Sequence, residues 1–383
     1  MENFTYCSPT NVVFGKGTIA ELPKLVPPKV AILMTYGGGS IRKNGVYDRV
    51  MKALKGRKVL EFGGIEPNPE FETLMKAVRL GRAKKVGFLL SVGGGSVLDG
   101  TKFIAAAIPF KGEPWDIVAK EAEVRKAVPL GCVLTLPATG SETNPFAVIS
   151  RRGIDDKRPF ASPLVYPKFS ILDPETTFTL PTRQTSNGIV DAWVHVMEQY
   201  MTYPADATLQ DRQAEAIWLA LKEVGPRVLA EPGNYDARAN MMWCATQALN
   251  GLIAVGVPQD WATHMIGHQV TASYGLDHAQ TLAVVAPALL RHQRARKQAK
   301  LLQYAERVWG LKEGAPEDRM EGAIRRTEDF FRSVGVKTRL KDYGIGPEAP
   351  ARIADKFERR GEKIGEHNDL GPKEIREILS MAL

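Results

Sequence analysis

Short apolar runs punctuate the first half of the chain and then stop. Residues 30–36, 59–62, 86–92, 132–136, 147–150 and 169–172 are continuously rather than alternately hydrophobic, as strands are when helices cover both faces of a parallel sheet. Beyond Leu180-Pro181 the pattern changes to amphipathic helices. These are predicted over 205–224, entered after Pro204, then 236–256, 259–274, 278–293 with a kink at Pro287, and 316–334. The chain thus reads as an α/β domain with a parallel, Rossmann-like sheet over residues 1–180, followed by an all-helical domain over 181–383.

Composition narrows the class. The 383 residues exceed one comfortable core, and 44% hydrophobic with 25% charged residues is ordinary for a soluble globular protein. The net charge of +8 is spread along the chain without an aromatic-basic recognition motif, so no nucleic-acid partner is expected. The surplus reads as solvated surface, with some local attraction for an anionic cofactor. Cys7, Cys132 and Cys244 show no CxxC spacing, which fits a reducing cytoplasm. Glu2, Asn3 and Thr5 do not make a signal peptide, and no apolar run reaches the roughly 18 residues of a membrane span.

Two glycine turns, Gly37-Gly38-Gly39-Ser40 and Gly93-Gly94-Gly95-Ser96, each follow a predicted buried strand. Glycine lets backbone N–H groups approach phosphate oxygens, and ligands of open α/β sheets bind at the carboxyl ends of strands. Either turn alone could equally be a tight turn. Ser96 is read as the N-cap of a helix over 97–107, with Asp99 and Lys102 as either a surface pair or supports for the site. Neither turn carries GxGxxG. No acidic residue follows Tyr36, whereas Ser40, Arg42 and Lys43 stand nearby, so NADP(H) is expected over NAD(H). A third strand leads into a loop over 135–144 whose hydroxyls and amide suit a sugar, diphosphate or carboxamide.

Asp191 and His195 lie four residues apart, as do His264 and His268, and His278 follows. Two helices bearing such pairs can face one another around a metal. Their settings are apolar, and burying such groups without partners is costly. His264-Met265-Ile266-Gly267-His268 lacks the glutamate of an HExxH hydrolase. A metal beside a nicotinamide points instead to carbonyl polarisation during hydride transfer. Histidine and carboxylate suit Fe²⁺ or Zn²⁺ alike, and spacing alone does not sort ligand from neighbour among the five groups.

Several ordered motifs carry a family resemblance over essentially the whole chain. Gly93-Gly94-Gly95-Ser96-Val97-Leu98-Asp99-Gly100-Thr101-Lys102, the loop 136–144, Asp191-Ala192-Trp193-Val194-His195 and the stretch 264–278 resemble the iron-containing, group III alcohol dehydrogenases. Tyr36-Gly37-Gly38-Gly39-Ser40, Gly63-Gly64-Ile65-Glu66-Pro67-Asn68-Pro69 and Pro258-Gln259-Asp260-Trp261-Ala262-Thr263-His264 are most similar to its NADPH-dependent aldehyde reductases and butanol dehydrogenases.

The resemblance implies cofactor and metal in a cleft between the two domains, a small aldehyde or primary alcohol as substrate, and a homodimer. It implies Asp191, His195, His264 and His278 as metal ligands, with His268 beside the nicotinamide. Because His268 stands one helical turn from His264, either it or a ribose hydroxyl of the cofactor is expected to relay the proton. It implies Gly38, Gly39 and Ser40 at the 2′-phosphate, Gly94, Gly95 and Ser96 at the diphosphate, and Thr135, Thr139, Asn144, Lys157 and Thr176 along the rest of the cofactor. Lys157 sits in a charged, loop-like region and reads equally as a solvated lysine. A phosphorylated-polyol dehydrogenase is disfavoured, because no Lys or Arg lies between Asp260 and His278. A non-catalytic nucleotide- or metal-binding protein is disfavoured by the intact ligand set.

Overall fold

The buried apolar runs become a six-stranded, wholly parallel sheet in the computed structural model, which describes all 383 residues. Its part of the chain runs β1 (Asn11–Phe14), α1 (Leu22–Leu25), β2 (Ile32–Thr35), α2 (Ser40–Lys43), α3 (Val46–Ala53), β3 (Val59–Phe62), α4 (Phe71–Ala83), β4 (Phe88–Gly94), α5 (Gly95–Ala107), α6 (Asp116–Ala119) and β5 (Leu130–Leu136). An antiparallel hairpin, β6 (Phe146–Arg151) and β7 (Asp156–Ala161), precedes β8 (Phe169–Leu172). The sheet order is β1-β8-β5-β4-β2-β3.

Successive side chains of a strand point to opposite faces, and here both faces are covered. Ile32, Met34, Phe88, Leu90, Val92 and Val133 enter one core. Leu33, Leu89, Leu130, Cys132 and Leu134 enter the other. Double coverage is why these strands read as unbroken apolar runs, and each fully buried Leu, Ile or Phe contributes about 1.5–3 kcal/mol.

After the last strand only helices follow: α7 (Thr182–Tyr200), α8 (Thr208–Ala230), α9 (Tyr235–Ala248), α10 (Ala262–Tyr274), α11 (His278–His292), α12 (Gln298–Arg307), α13 (Pro316–Ser333), α14 (Ala349–Arg360) and α15 (Pro372–Met381). A third core gathers Ile266, Val270, Val285, Leu289, Ile353, Phe357 and Ile378 from α10, α11, α14 and α15. No helix is long and apolar enough to cross a membrane.

Contacts divide the chain into Cys7–Pro181 with Glu231–Thr246, and Met1–Tyr6 with Thr182–Ala230 and Gln247–Leu383. A single cut after residue 180 therefore places two segments differently from the structure. Residues 231–246 join the α/β unit because Met242 enters its core and the Thr246 hydroxyl donates to buried Glu142 at 2.6 Å. Residues 1–6 join the helical unit, where the Glu2 N–H donates to Gly256 O at 2.9 Å.

Two strands fall outside the apolar pattern. β1 is a short edge strand, and β7 (Asp-Lys-Arg-Pro-Phe-Ala) is polar because it belongs to the hairpin rather than to the sheet. The run over 147–150 is likewise a hairpin strand, not a member of the parallel sheet.

Candidate metal centre and cofactor site

In the helical unit, α7 presents Asp191, His195 and Glu198 at i, i+4 and i+7. This spacing stacks them on one face, and all three are buried. Helix α10 supplies His264 and His268. His278 is the first residue of α11, whose start is tied to α7: Asp277 Oδ2 accepts from Arg183 Nε and Asn187 Nδ2, both at 2.7 Å.

These helices bring one ligand atom from each of Asp191, His195, His264 and His278 to within 4.8 Å of one another. Asp191 Oδ1 lies 3.7 Å from His195 Nδ1 and 3.5 Å from His278 Nε2. The ring of His264 is 4.6 Å from that of His195 and 5.1 Å from that of His278. Oxygen and nitrogen ligands about 2.0–2.2 Å from a tetrahedral ion stand roughly 3.3–3.5 Å apart; the two Asp191 pairs are close to this, and the group as a whole, within 4.8 Å, would draw in around one divalent cation. Burial, and then the neighbouring His264, hold the His195 imidazole well below its ordinary pKa. It is therefore neutral, the form that ligates a metal.

His268 is buried, one helical turn from His264, with its ring 5.3 Å from that of His278 and 6.1 Å from that of His264. It falls outside the four-atom group. Glu198 belongs to none of the sequence motifs, although its position three residues after His195 continues the same helix face. Its carboxylate accepts from the Thr263 N–H at 2.5 Å and the His264 N–H at 3.3 Å, and it also meets His264 Nδ1. Burial, with nearby Asp260, pushes that carboxyl well above the usual range against the pull of these donors.

In the α/β unit, β2 lies between β3 and β4: the chain runs from β2 to β3 on one side and then crosses back to β4 on the other, so the sheet has its topological switch point there. Thr35 pairs with Ser91 across the ladder, and the two glycine turns follow at the ends of neighbouring strands. That crevice is where open α/β sheets bind ligands. The 13-residue helix α5 opens at Gly95 and directs its first N–H groups toward the strand end.

Glycine is also demanded there by packing. A Cβ on Gly94 would stand 2.9 Å from Leu136 Cβ, and one on Gly95 would stand 2.5 Å from Thr139 Oγ1. Gly39 has φ +94°, a conformation that favours glycine, and Ser40 opens α2 behind it; Gly38 is exposed.

Ser96 is not the N-cap. Gly94 holds that place, because the helix starts two residues before the predicted 97, and Ser96 Oγ instead accepts from the Asn68 N–H at 3.3 Å. Asp99 and Lys102 are no surface pair. Lys102 is wholly buried, its Nζ within 2.8 Å of Ser141 Oγ, Asn144 O and Phe146 O and 3.2 Å from Asn144 Oδ1. Asp99 accepts from Ser141 Oγ at 2.7 Å and the Val148 N–H at 3.0 Å. Burial lowers the Lys102 pKa to about 8, against the opposing charges of Asp99 and Glu142. Together they pin the loop after β5 to α5.

Lys157 is likewise no solvated lysine. It is buried on β7 and donates to Asn68 Oδ1 at 2.8 Å. Thr135 ends up near the close of β5, with Thr139 and Asn144 in the loop behind it, where Asn144 Oδ1 also accepts from the Phe146 N–H at 3.0 Å. The Thr176 hydroxyl lies 2.8 Å from both Leu134 O and Asp173 O. Near the first turn, Arg42 donates to Glu61 Oε2 at 2.6 Å and stacks 3.9 Å over Tyr47. A carboxylate does therefore stand by this turn, contributed by β3 and neutralised by Arg42.

A model of the iron-containing alcohol dehydrogenase family matches residues 9–174, and a model of the Fe-containing alcohol dehydrogenase family C-terminal part matches residues 185–383. Over 374 residues, 97% of either chain, the protein is 58% identical to NADPH-dependent aldehyde reductase YqhD of Escherichia coli K12. The crystal structure of E. coli K-12 YqhD is similar with a TM-score of 0.99 at 56% identity, covering 100% of this chain and 99% of that one. NADH-dependent butanol dehydrogenase A of Thermotoga maritima is similar with a TM-score of 0.95 at 36% identity, covering 100% and 99%.

Proposed function

Because this chain belongs to the iron-containing alcohol dehydrogenase family, we propose that it reduces small aldehydes to primary alcohols with NADPH, reversibly. It is a metal-dependent alcohol dehydrogenase or aldehyde reductase. The observation that carries the proposal is the convergence of Asp191, His195, His264 and His278 on one point. These residues would hold one Fe²⁺ or Zn²⁺.

When bound, the ion supplies Lewis-acid polarisation of the carbonyl, and NADPH supplies the hydride. The protein's own residues do the remainder. Gly94, Gly95 and Ser96, at the start of α5, receive the diphosphate. Gly38, Gly39 and Ser40 receive the 2′-phosphate, and Thr135, Thr139, Asn144, Lys157 and Thr176 line the rest of the cofactor. Lys102 and Asp99 keep the 139–146 loop in register for it. His268 passes a proton to the oxygen of the nascent alcohol, completing the balance of aldehyde, NADPH and H⁺ to alcohol and NADP⁺.

NADP(H) is preferred over NAD(H) because no acidic side chain occupies the turn after Tyr36 and the Glu61 carboxylate is already engaged by Arg42. The relative with 58% identity is named as NADPH-dependent. The chain forms a homodimer, for which the exposed Phe14 on edge strand β1 and the exposed Trp243 packed against it offer an apolar patch. The protein acts in the cytoplasm, in keeping with three free cysteines. Oxidation of NADPH and of NADH, followed against a series of short aldehydes with the metal-loaded protein, tests the proposal. It predicts turnover with NADPH exceeding that with NADH. No turnover with any aldehyde would overturn it.

A further inference from the structure

Trp261 at the N-cap position of α10 makes no capping bond, and Asp260 Oδ1 accepts only from the first N–H, that of Ala262 at 2.9 Å, so the next two N–H groups need another acceptor. The acceptor comes from another helix. Glu198 of α7, 3% exposed, accepts from the Thr263 N–H at 2.5 Å and the His264 N–H at 3.3 Å, at the end of α10 where the helix dipole favours an anion. Its backbone carbonyl accepts from the Asp260 N–H at 2.8 Å, so the segment leading into α10 is fixed to the same residue. The same carboxylate meets the ring of His264 at Nδ1.

A neutral imidazole carries one proton, and the bond made by one ring nitrogen decides what the other can do. Glu198 already accepts from two backbone N–H groups at the start of α10, bonds that favour its ionised, accepting form there despite its burial. In that form its contact with His264 is made by the proton on Nδ1, which leaves the lone pair on Nε2. We infer that Glu198 is a positioning residue, which fixes the tautomer and orientation of His264 and thereby sets the affinity of the four-residue site for a divalent metal. Such carboxylate–histidine pairs hold the ligand still and raise its basicity, and removing them typically weakens metal binding about 10- to 100-fold. One helix face thus supplies two ligands directly, Asp191 and His195, and controls a third through Glu198. This inference rests on the proposed metal site.

The test is Zn²⁺ affinity by chelator competition in the wild type and the nearly isosteric Glu198→Gln, with thermal unfolding of both metal-free proteins alongside. The expected result is a Kd for Zn²⁺ raised about 10- to 100-fold in Glu198→Gln, while the metal-free variant still unfolds cooperatively and binds NADPH like the wild type. A residue that only capped α10 would lower the unfolding temperature and leave the Zn²⁺ affinity of the folded protein unchanged, and a Kd within twofold of wild type overturns the inference. If Glu198→Gln does not fold, the Zn²⁺-loaded wild type with ¹⁵N-labelled histidine decides. Ligation of His264 through Nε2 supports the inference, and ligation through Nδ1 overturns it. A wild type that takes up no Zn²⁺ would instead overturn the metal site itself.

Discussion

Gly95 and Thr139 are packed so closely that a methyl group on the first would stand 2.5 Å from the hydroxyl of the second. One residue opens α5 and the other lies in the loop after β5, so their contact fixes two walls of the proposed cofactor site to each other. Gly95→Ala must push the loop away. Overpacking of this kind costs about 1–3 kcal/mol of stability. NADPH affinity, measured by fluorescence titration, should fall at least about tenfold, since the displaced amides lose their contacts with the diphosphate. Unchanged affinity would show that the glycine turn serves packing alone.

His264→Ala removes one of four donors and leaves three. Metal analysis after dialysis should find the variant largely free of Fe²⁺ and Zn²⁺, with aldehyde reduction lost in the same preparation. NADPH binding should persist, because the residues proposed for it belong to the other unit. A metal-free yet fully active His264→Ala would remove the site assignment.

His268 lies beside the four donors without joining them. His268→Gln should therefore keep its metal and its NADPH affinity but lose about 10²- to 10⁴-fold in kcat, the range of a general acid. If kcat is unaltered, the proton reaches the alcohol by another route.

Lys102 predicts a pH dependence of stability. Burial lowers its folded-state pKa to about 8 from the ordinary 10.5, so between these values the unfolded chain binds a proton that the folded chain has released. Stability then rises with pH through this window, by at most ~3 kcal/mol. Chemical denaturation at pH 8 and pH 10 should show this contribution in the wild type and its absence in Lys102→Met. The same slope in both proteins would exclude Lys102 as its source.

Much of this arrangement was legible in the chain. Strand β8 follows directly from its apolar run and β3 from one that Glu61 interrupts, and Asp191/His195 and His264/His268 declare helical faces by their spacing. What the chain hides is contact between segments distant in sequence. Lys102 and Asp99 look like a surface pair because their partners lie about forty residues further on: Ser141 and Asn144 accept from Lys102, and the Ser141 hydroxyl donates to Asp99. Lys157 sits among charges in sequence but on a buried hairpin strand in space. Glu61 approaches Arg42 from the adjacent strand, so no local motif announces it. Glu198 was the nearest to being readable, since i+7 from Asp191 continues the ligand face. Nothing local reveals that its partner is a histidine on another helix.

The central claim is that one ion held by Asp191, His195, His264 and His278 makes this chain an NADPH-dependent aldehyde reductase. The most direct test strips the protein of metal, then follows NADPH oxidation with butanal as Fe²⁺ or Zn²⁺ is added back. The account predicts no turnover without metal, and recovery in proportion to metal that saturates at one ion per chain. Full turnover by the metal-free protein, or none at saturation, would contradict it.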